Sequence, residues 1–259
     1  MIKCQRIDLS IIKNKRKKNM KWAESYNVKF HDTNSNEIVS ASHTLKFMQE
    51  TSMRHMKGRR PSYEELFNEK KAFILSNIRL EMYNPIYAYE DIVAKTWACP
   101  SRGYSFMRSY SIERNGEIMA EAYSTWALVS TEEQKLYKVS DIDLSNYDED
   151  EPVQLENPLR VRIPSEVPLS LIDEYTVRYS DTDLNGHMNN TNYPDMLINC
   201  MINPQGIRVK SIGISFINDI KARETVKIYM AKTDGKYYFR SVKSDGSINI
   251  EAEIIAESI

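Results

Sequence analysis

The sequence predicts an α+β fold in which one unit, a helix packed against an antiparallel sheet of about five strands, occurs twice. Three observations support this prediction: blocks of similar sequence recur in the same order, apolar residues alternate within both copies, and turn dipeptides separate the alternating segments. The chain has 259 residues, of which 41% are hydrophobic. That is enough apolar material to bury a sizeable core.

The repeat is clearest in two blocks. The segments 26–38 and 175–187 share Tyr, Val, Asp, Thr and Asn at five of thirteen positions, where average composition predicts about one. The segments 80–94 and 214–228 share four further residues at equivalent positions. Because both blocks occur in the same order in each half, we predict a duplicated domain.

Each copy is predicted to begin with a strand, at 26–30 and at 175–179, and to continue through a polar loop into a helix. The first helix carries apolar residues on one face, Leu45, Met48 and Met56, and the second follows Pro194. Three or four further strands are predicted in each copy, at 73–83, 91–99, 104–113 and 117–129, and at 209–218, 224–231, 236–243 and 247–256. Asn-Gly and Asp-Gly pairs at 115–116, 234–235 and 245–246 indicate tight turns, so neighbouring strands pair antiparallel.

Composition divides the chain into four parts. We predict a basic, disordered extension at 1–19, an N-terminal unit at 20–138, a linker at 139–172 and a C-terminal unit at 173–259. The linker is recognised by four prolines and by the acidic run at 148–151, and we expect it to be extended and solvated.

Charge and motif content exclude several classes of protein. Lys and Arg (35) nearly balance Asp and Glu (36), so the chain has no overall positive field that would attract nucleic acid or an anionic membrane. Its eight glycines form no dinucleotide-binding, phosphate-loop or nucleophile-elbow motif. Nucleotide-dependent enzymes and ordinary serine hydrolases are therefore disfavoured.

Cysteine, histidine and hydropathy patterns set further expectations. The three cysteines form no CxxC pair, and the four histidines have no metal-ligand spacing, so we expect neither a metal nor a cofactor. No segment approaches the ~20 apolar residues needed to cross a bilayer. The N-terminus lacks the apolar segment of a signal peptide, and we expect a cytoplasmic protein.

The two copies differ where chemistry is possible. The second copy has Asp183 and His187 where the first has Asn34 and Ile38, and Asp219 corresponds to Pro85. A reactive group found in only one copy is not required by the shared fold. We therefore expect the C-terminal half to be the reactive one.

Asp183, Asn185 and His187 lie within five residues in a loop that enters a helix. The imidazole can relay a proton, the amide can bind a carbonyl, and the free N–H groups of the helix can stabilise negative charge. Asp183 can orient its neighbours, and Asp219 is a candidate base. The alternative is that Asp183 and Asn185 only cap the turn and that His187 is a packing residue.

The stretch RYSDTDLNGHMNNTNY at 178–193 resembles the loop-to-helix signature of hotdog-fold thioesterases. Residues 26–258 as a whole resemble the acyl-acyl carrier protein (acyl-ACP) thioesterase family of bacteria and plastids, including IRLEMYNPIYAYEDIVAKTW at 78–97. The resemblance implies a tandem double hotdog whose C-terminal unit is catalytic and whose N-terminal unit shapes the acyl pocket. It implies hydrolysis of fatty acyl-ACP in fatty acid biosynthesis, with acyl carrier protein as partner, no nucleic acid or membrane, and a monomer or homodimer.

Asp183, Asn185 and His187 match the Asp-x-Asn-x-His of this family, and its further acidic residue falls on Asp219, usually Glu in plant members. The next position, Cys in plant members, is Ile220 here, and Cys200 is expected to be an inert thiol. Whether Asp219 is base or nucleophile stays open. So do two alternative functions, an acyl-CoA thioesterase and a non-catalytic acyl-binding module.

The resemblance also places acyl-chain selection in the first copy. There the predicted helix, with Leu45, Phe47, Met48 and Met56, faces a sheet that includes Met82 and Trp97, but the sequence does not show which of them line the pocket. Four basic residues at the end of this helix are a candidate docking patch for the carrier protein: Arg54, Lys57, Arg59 and Arg60.

Overall fold

The computed structural model describes residues 21–133 and 135–259, so the predicted basic extension at 1–19 lies outside the described residues. The N-terminal half of the fold contains β1 (Trp22–Asn27), α1 (Ala41–Lys57), α2 (Tyr63–Asn68), β2 (Lys71–Met82), β3 (Asp91–Arg102), β4 (Ser105–Arg114), β5 (Glu117–Ser130) and β6 (Leu136–Tyr137). The C-terminal half contains β7 (Ser170–Thr176), α3 (Tyr193–Asn199), β8 (Ile207–Phe216), β9 (Thr225–Thr233), β10 (Lys236–Lys243) and β11 (Ile248–Ser258). None of the helices in these two ranges is long and apolar enough to span a membrane.

The strands form one sheet in the order β1-β3-β4-β5-β2-β8-β11-β10-β9-β7, with β6 beside β5. Neighbouring strands in this order pair antiparallel. The predicted α+β class is therefore confirmed. β2 and β8 meet at the centre, where residues 77–81 pair with 211–215, and the strands on either side follow equivalent orders.

Eight strand predictions agree with the structure to within a few residues at each end, but the first strand of each copy was placed wrongly. β1 ends at Asn27 and β7 ends at Thr176. The Asp32 carboxylate accepts the backbone N–H of Lys29 at 2.7 Å, and Asp181 accepts that of Arg178 at 2.8 Å. These bonds close short 3₁₀ turns, and the chain leaves the sheet there.

The long helix α1 lies over the first half of the sheet. Ser40 caps its start, since its Oγ accepts the His43 N–H at 3.2 Å, and Gly58 follows its last residue. The face bearing Leu45 and Met48 is buried in the main hydrophobic core, which the two halves share. The shorter α3 lies beside α1, and the Asp195 N–H donates to Ser42 Oγ at 3.1 Å.

Sequence reasoning missed α2, although its starting signal is present. Ser62 Oγ accepts the Glu65 N–H at 3.2 Å, and the Glu65 carboxylate accepts the Ser62 N–H at 2.8 Å. This reciprocal arrangement is the capping box that Ser-x-x-Glu predicts.

The connection between the halves packs on the sheet and is not the solvated linker that its composition indicated. Hydrogen bonds attach it to strand side chains, among them Val153 N–H to Ser109 Oγ (3.2 Å), Asn157 N–H to Glu81 Oε1 (2.9 Å), Arg79 Nε to the Pro158 carbonyl (2.9 Å) and Val161 N–H to Ser215 Oγ (3.1 Å). These side chains belong to β2, β4 and β8, so the connection crosses the joint between the halves.

A buried ion pair lies at this joint. Arg79 is 1% exposed, and its Nη1 donates to Glu253 Oε1 at 2.9 Å. Lys236 contacts the other Glu253 oxygen at 3.2 Å. A β-carbon at Gly213 would lie 2.4 Å from the Arg79 guanidinium carbon. Glycine at 213 therefore provides the space that this guanidinium occupies.

Candidate active site

The loop 183–187 is a tight turn organised by Asp183. Its Oδ1 accepts the backbone N–H groups of Asn185 at 2.8 Å and His187 at 3.3 Å, and the Asp183 N–H donates to the His187 carbonyl at 2.8 Å. Gly186 takes the left-handed conformation, with φ of 76°, that the turn requires. Asp183 thus fixes the backbone that carries the amide and the imidazole.

The first copy contains the same turn without the same chemistry. Asn34 Oδ1 accepts the Asn36 N–H at 2.9 Å, and the Asn34 N–H donates to the Ile38 carbonyl at 2.9 Å. The turn is therefore a shared folding feature, and the hydrogen bonds of Asp183 agree with the capping alternative for that residue. What distinguishes the second copy is the imidazole at its end.

That imidazole contacts the carboxylate predicted to act with it. His187 Nε2 lies 2.8 Å from Asp219 Oδ2, and the two side chains are 33% and 56% exposed. The Met188 N–H donates to the Ile220 carbonyl at 2.8 Å, which holds the loop beside the segment carrying Asp219. An imidazole that donates from Nε2 to a carboxylate keeps Nδ1 as an acceptor for a proton.

The helix N–H groups expected to stabilise negative charge are partly occupied. A 3₁₀ turn at 190–192 precedes α3, and its Thr191 N–H donates to Asn189 Oδ1 at 3.0 Å. The first turn of α3 contains Pro194, which has no N–H, and the Asp195 N–H is bound to Ser42. The Asn185 amide is therefore the better candidate for binding a carbonyl.

Sequence reasoning missed a buried amide behind Asp219. Asn249 is fully buried, and its Nδ2 donates to the Asn218 carbonyl and to Tyr193 Oη at 3.1 Å. Asn249 lies on β11, and its backbone carbonyl accepts the Asn218 N–H at 3.1 Å. In the first copy the Asn84 N–H donates to the Met119 carbonyl at 3.3 Å, so Met119 occupies the position of Asn249. The repeat comparison that singled out His187 would have found Asn249 as well.

Asn249→Met introduces the residue of the first copy, and we expect it to lower kcat by about tenfold to a hundredfold. The Asn218 carbonyl loses its side-chain donor, so Asp219 is held less firmly, and small displacements of reacting groups are costly. Steady-state kinetics with a measured folded fraction tests this. Met119→Leu is the matched control and should keep kcat. Wild-type kcat in a folded Asn249→Met protein would contradict the prediction.

A cavity of about 950 Å³ begins at the loop and extends through the first half. Asp183 and Asn185 are part of its wall, whereas His187 and Asp219 are not among the described residues that line it. The wall in the first half is mainly apolar and includes Leu45, Met48, Met53, Met56, Leu66, Phe73, Leu75, Phe106 and Trp126.

The cavity separates the residues expected to line an acyl pocket into two groups. Leu45, Met48 and Met56 line the cavity, whereas Phe47, Met82 and Trp97 are not among the described residues that line it. The Phe47 ring packs on Tyr26 with 5.1 Å between centroids. The indole N–H of Trp97 donates to the Glu151 carbonyl, on the side of the connection, at 2.9 Å. Met82 lies in the hydrophobic core.

Cys200 has the properties of an inert thiol. It follows the last residue of α3, and its Sγ donates to the Met196 carbonyl at 3.1 Å. Burial, together with the Asp173 carboxylate, raises the pKa of Cys200 to about 12. Thiolate chemistry at neutral pH is therefore disfavoured. Among the residues that the structure describes, no three His, Cys, Asp or Glu side chains cluster as metal ligands.

The basic residues at the end of α1 do not form the open cationic patch that the sequence indicated. Arg54 pairs with Glu24 and Glu50, Arg59 with Asp148, and Arg60 with Glu65. Because nearby carboxylates neutralise three of the four positive charges, the attraction of this surface for an acidic partner is weakened.

His55 is a buried histidine at the far end of α1. It is 2% exposed, stacks on Trp22 with 5.5 Å between centroids, and accepts from Arg108 Nη1 at 3.1 Å through Nδ1. Burial and the positive charges of Arg108 and Arg59 lower the pKa of His55 to about 3. The folded protein therefore contains a neutral imidazole throughout the mildly acidic range.

This burial predicts a loss of stability in acid. The pKa of His55 is near 6.5 in the unfolded chain and near 3 in the folded protein. Between pH 6.5 and pH 3 the unfolded chain therefore binds a proton at His55 that the folded protein does not bind, so the free energy of unfolding falls as the pH falls. At pH 5 this protonation lowers the free energy of unfolding by about 2 kcal/mol relative to neutral pH. Urea unfolding at pH 7 and pH 5 should show a smaller pH dependence for His55→Gln than for wild type. The exposed His31→Gln serves as control, and equal pH dependence in all three proteins would contradict the prediction.

Two family models match this chain, one over each half. The acyl-ACP thioesterase N-terminal domain family matches residues 19–147, and the acyl-ACP thioesterase C-terminal domain family matches residues 165–258. The palmitoyl-acyl carrier protein thioesterase of Cuphea hookeriana is 22% identical over 189 residues, which cover 66% of this chain and 45% of that protein. The chain thus spans less than half the length of the curated relatives it matches.

Two solved structures share the fold. An acyl-ACP thioesterase from Bacteroides thetaiotaomicron superposes with a TM-score of 0.82 at 18% identity, covering 91% of this chain and 97% of that one. The 12:0-ACP thioesterase from Umbellularia californica gives 0.81 at 14% identity, covering 92% and 98%. Since the two family domains together cover most of the sequence in the expected order, the chain belongs to the acyl-ACP thioesterase family.

Proposed function

We propose that this protein hydrolyses the thioester of fatty acyl-ACP and releases free fatty acid in fatty acid biosynthesis. The observation that carries the proposal is the 2.8 Å contact between His187 and Asp219. This pair exists only in the second copy. His187 ends the loop whose Asp183 and Asn185 line a large, mainly apolar cavity, and Asp219 contacts it from the segment that follows β8. Such a cavity suits an acyl chain, and the pair suits proton transfer at its entrance.

The proposal includes a tandem double hotdog with units at 20–138 and 173–259, connected by 139–172. The equivalent strand orders on either side of the β2–β8 pairing support it, as do the separate matches of two family domains. The expected compartment is the cytoplasm, and the expected state is a monomer or homodimer.

In the proposed mechanism, the acyl chain occupies the cavity and the thioester carbonyl accepts from the Asn185 amide. His187 Nδ1 takes a proton from water as the water oxygen attacks the carbonyl carbon. Asp219 stabilises the imidazolium. Collapse of the tetrahedral intermediate breaks the carbon–sulfur bond, and the imidazolium returns the proton to the leaving thiolate. Asp183 acts by holding the turn.

The contact with the imidazole favours this role for Asp219 over direct attack on the thioester. An Asp219 nucleophile would form an anhydride with the acyl group, and its Oδ2 is engaged by His187. Hydrolysis in ¹⁸O-labelled water under single-turnover conditions tests the anhydride route in one direction. Label in the Asp219 carboxylate shows an anhydride that water opened at the Asp219 carbonyl, whereas an unlabelled protein is expected both from direct water attack and from an anhydride opened at the acyl carbonyl.

The test of function is release of free fatty acid from purified protein and defined acyl-ACP, with acyl-CoA of the same chain length in parallel. We expect a higher kcat/KM for acyl-ACP. A higher kcat/KM for acyl-CoA would indicate an acyl-CoA thioesterase. Binding of acyl-ACP without release of acid would indicate an acyl-binding module.

A further inference from the structure

The apolar cavity contains a polar belt in its interior. Ser52 of α1 and Arg108 and Tyr110 of β4 all line it. On α1, Met48 and Met56 lie one turn before and one turn after Ser52, and both line the cavity. The polar side chains therefore interrupt an apolar wall on both the helix side and the sheet side.

The Arg108 guanidinium is held in place by neutral acceptors. Its Nη1 donates to Thr96 Oγ1 and to His55 Nδ1, each at 3.1 Å. The fully buried Thr96 and the buried His55 fix its position, and the low pKa of His55 keeps that imidazole an acceptor. Within residues 21–133 and 135–259, Arg108 forms no ion pair with a carboxylate, and neither Nη2 nor Nε has a hydrogen-bond partner.

A plain alkyl chain is a poor occupant for this part of the cavity. It would displace water from the remaining guanidinium N–H groups and return no hydrogen bond, which is costly for a charged donor. An oxygen on the chain would accept from these groups.

We infer that Arg108 makes this cavity selective for acyl chains that carry a hydroxyl or keto oxygen along the chain. The inference rests on the proposed function, because it concerns the acyl group of that substrate. Arg108 is in this account a specificity-determining residue and takes no part in the chemical step.

The experiment compares two observations on the full chain. The first is competition between acyl-ACP substrates of one chain length: the plain chain and isomers with a hydroxyl or keto group at successive internal carbons. The second is the shift in melting temperature caused by the corresponding free fatty acids, which needs no hydrolysis. Wild type should prefer at least one oxygenated isomer by about tenfold to a hundredfold in kcat/KM, the range for one hydrogen bond to a charged group. The same isomer should give the larger melting shift.

Arg108→Met keeps the length of the side chain without its donors and should abolish this preference. Arg108→Lys keeps the charge and should retain part of it. Met56→Leu changes the same cavity without changing its polarity and is the matched control. The kcat/KM ratio is measured within one enzyme preparation, so partial misfolding of a variant does not affect it.

Equal treatment of plain and oxygenated chains by wild type, in both measurements, would overturn the inference. So would a preference that persists in Arg108→Met, or an Arg108→Met protein that only accepts longer plain chains. If no ACP thioester is hydrolysed but oxygenated acids still give the larger shift, the proposed function fails and the assignment of the binding site stands.

Discussion

Replacing His187 with alanine is expected to lower kcat for acyl-ACP hydrolysis by at least about a hundredfold, the low end for a general acid–base group. In the proposed mechanism the imidazole takes the proton of water, and its Nε2 lies 2.8 Å from Asp219 Oδ2. KM should change much less, because His187 is not among the described residues that line the cavity proposed to bind the acyl chain. Steady-state kinetics on the purified variant measures both constants.

Asp219→Ala should cause a loss of similar size, and the double variant little more than either change alone, since the two groups act as a unit. His31→Ala is the control, because that side chain is 81% exposed and lies in the first copy. A folded His187→Ala protein with near wild-type kcat would remove the proposed mechanism, whereas additive losses would show that the pair does not work together.

Glu253→Ala is expected to reduce the free energy of unfolding by about 3–5 kcal/mol, the typical cost of leaving one member of a buried pair uncompensated. Arg79 is 1% exposed, and in the variant its acceptors among the described residues are the weaker Pro158 O and Ser211 Oγ, at 2.9 and 3.4 Å. Urea unfolding measures the change.

The double variant Arg79→Met, Glu253→Met should recover much of the loss, because no buried charge remains. Arg54→Ala is the exposed counterpart: its pairs lie at the surface, and its cost should stay below about 1 kcal/mol. A loss below 1 kcal/mol for Glu253→Ala would mean that water reaches Arg79 in the folded protein.

The sheet could be read from the sequence because alternation and turn residues are local signals. The Asn-Gly turn at 115–116 and the Asp-Gly turns at 234–235 and 245–246 fixed the ends of their strands closely. The first strands ended earlier than expected because Asp32 and Asp181 bind backbone N–H groups three residues before them. Alternation alone does not reveal such side-chain competition.

The candidate site was only partly readable. Comparing the two copies identified His187 and Asp219, but the residues are 32 positions apart in the sequence, and their contact depends on the pairing of two segments in the fold. The path of the connection at 139–172 over the sheet could not be predicted from the sequence. Its proline and acidic content indicates solvation, whereas the strand hydroxyls Ser109 and Ser215 bind its backbone.

The β2–β8 pairing has a consequence for each half taken alone. Separated from the other, either half would present the free backbone N–H and C=O groups of a central strand, at residues 77–81 or 211–215, to solvent. Edges of this kind attract other strands and promote aggregation unless they are covered. In the intact chain these two aggregation-prone strand edges are covered by each other. A fragment containing one half would therefore need to be expressed together with the other half to remain monodisperse.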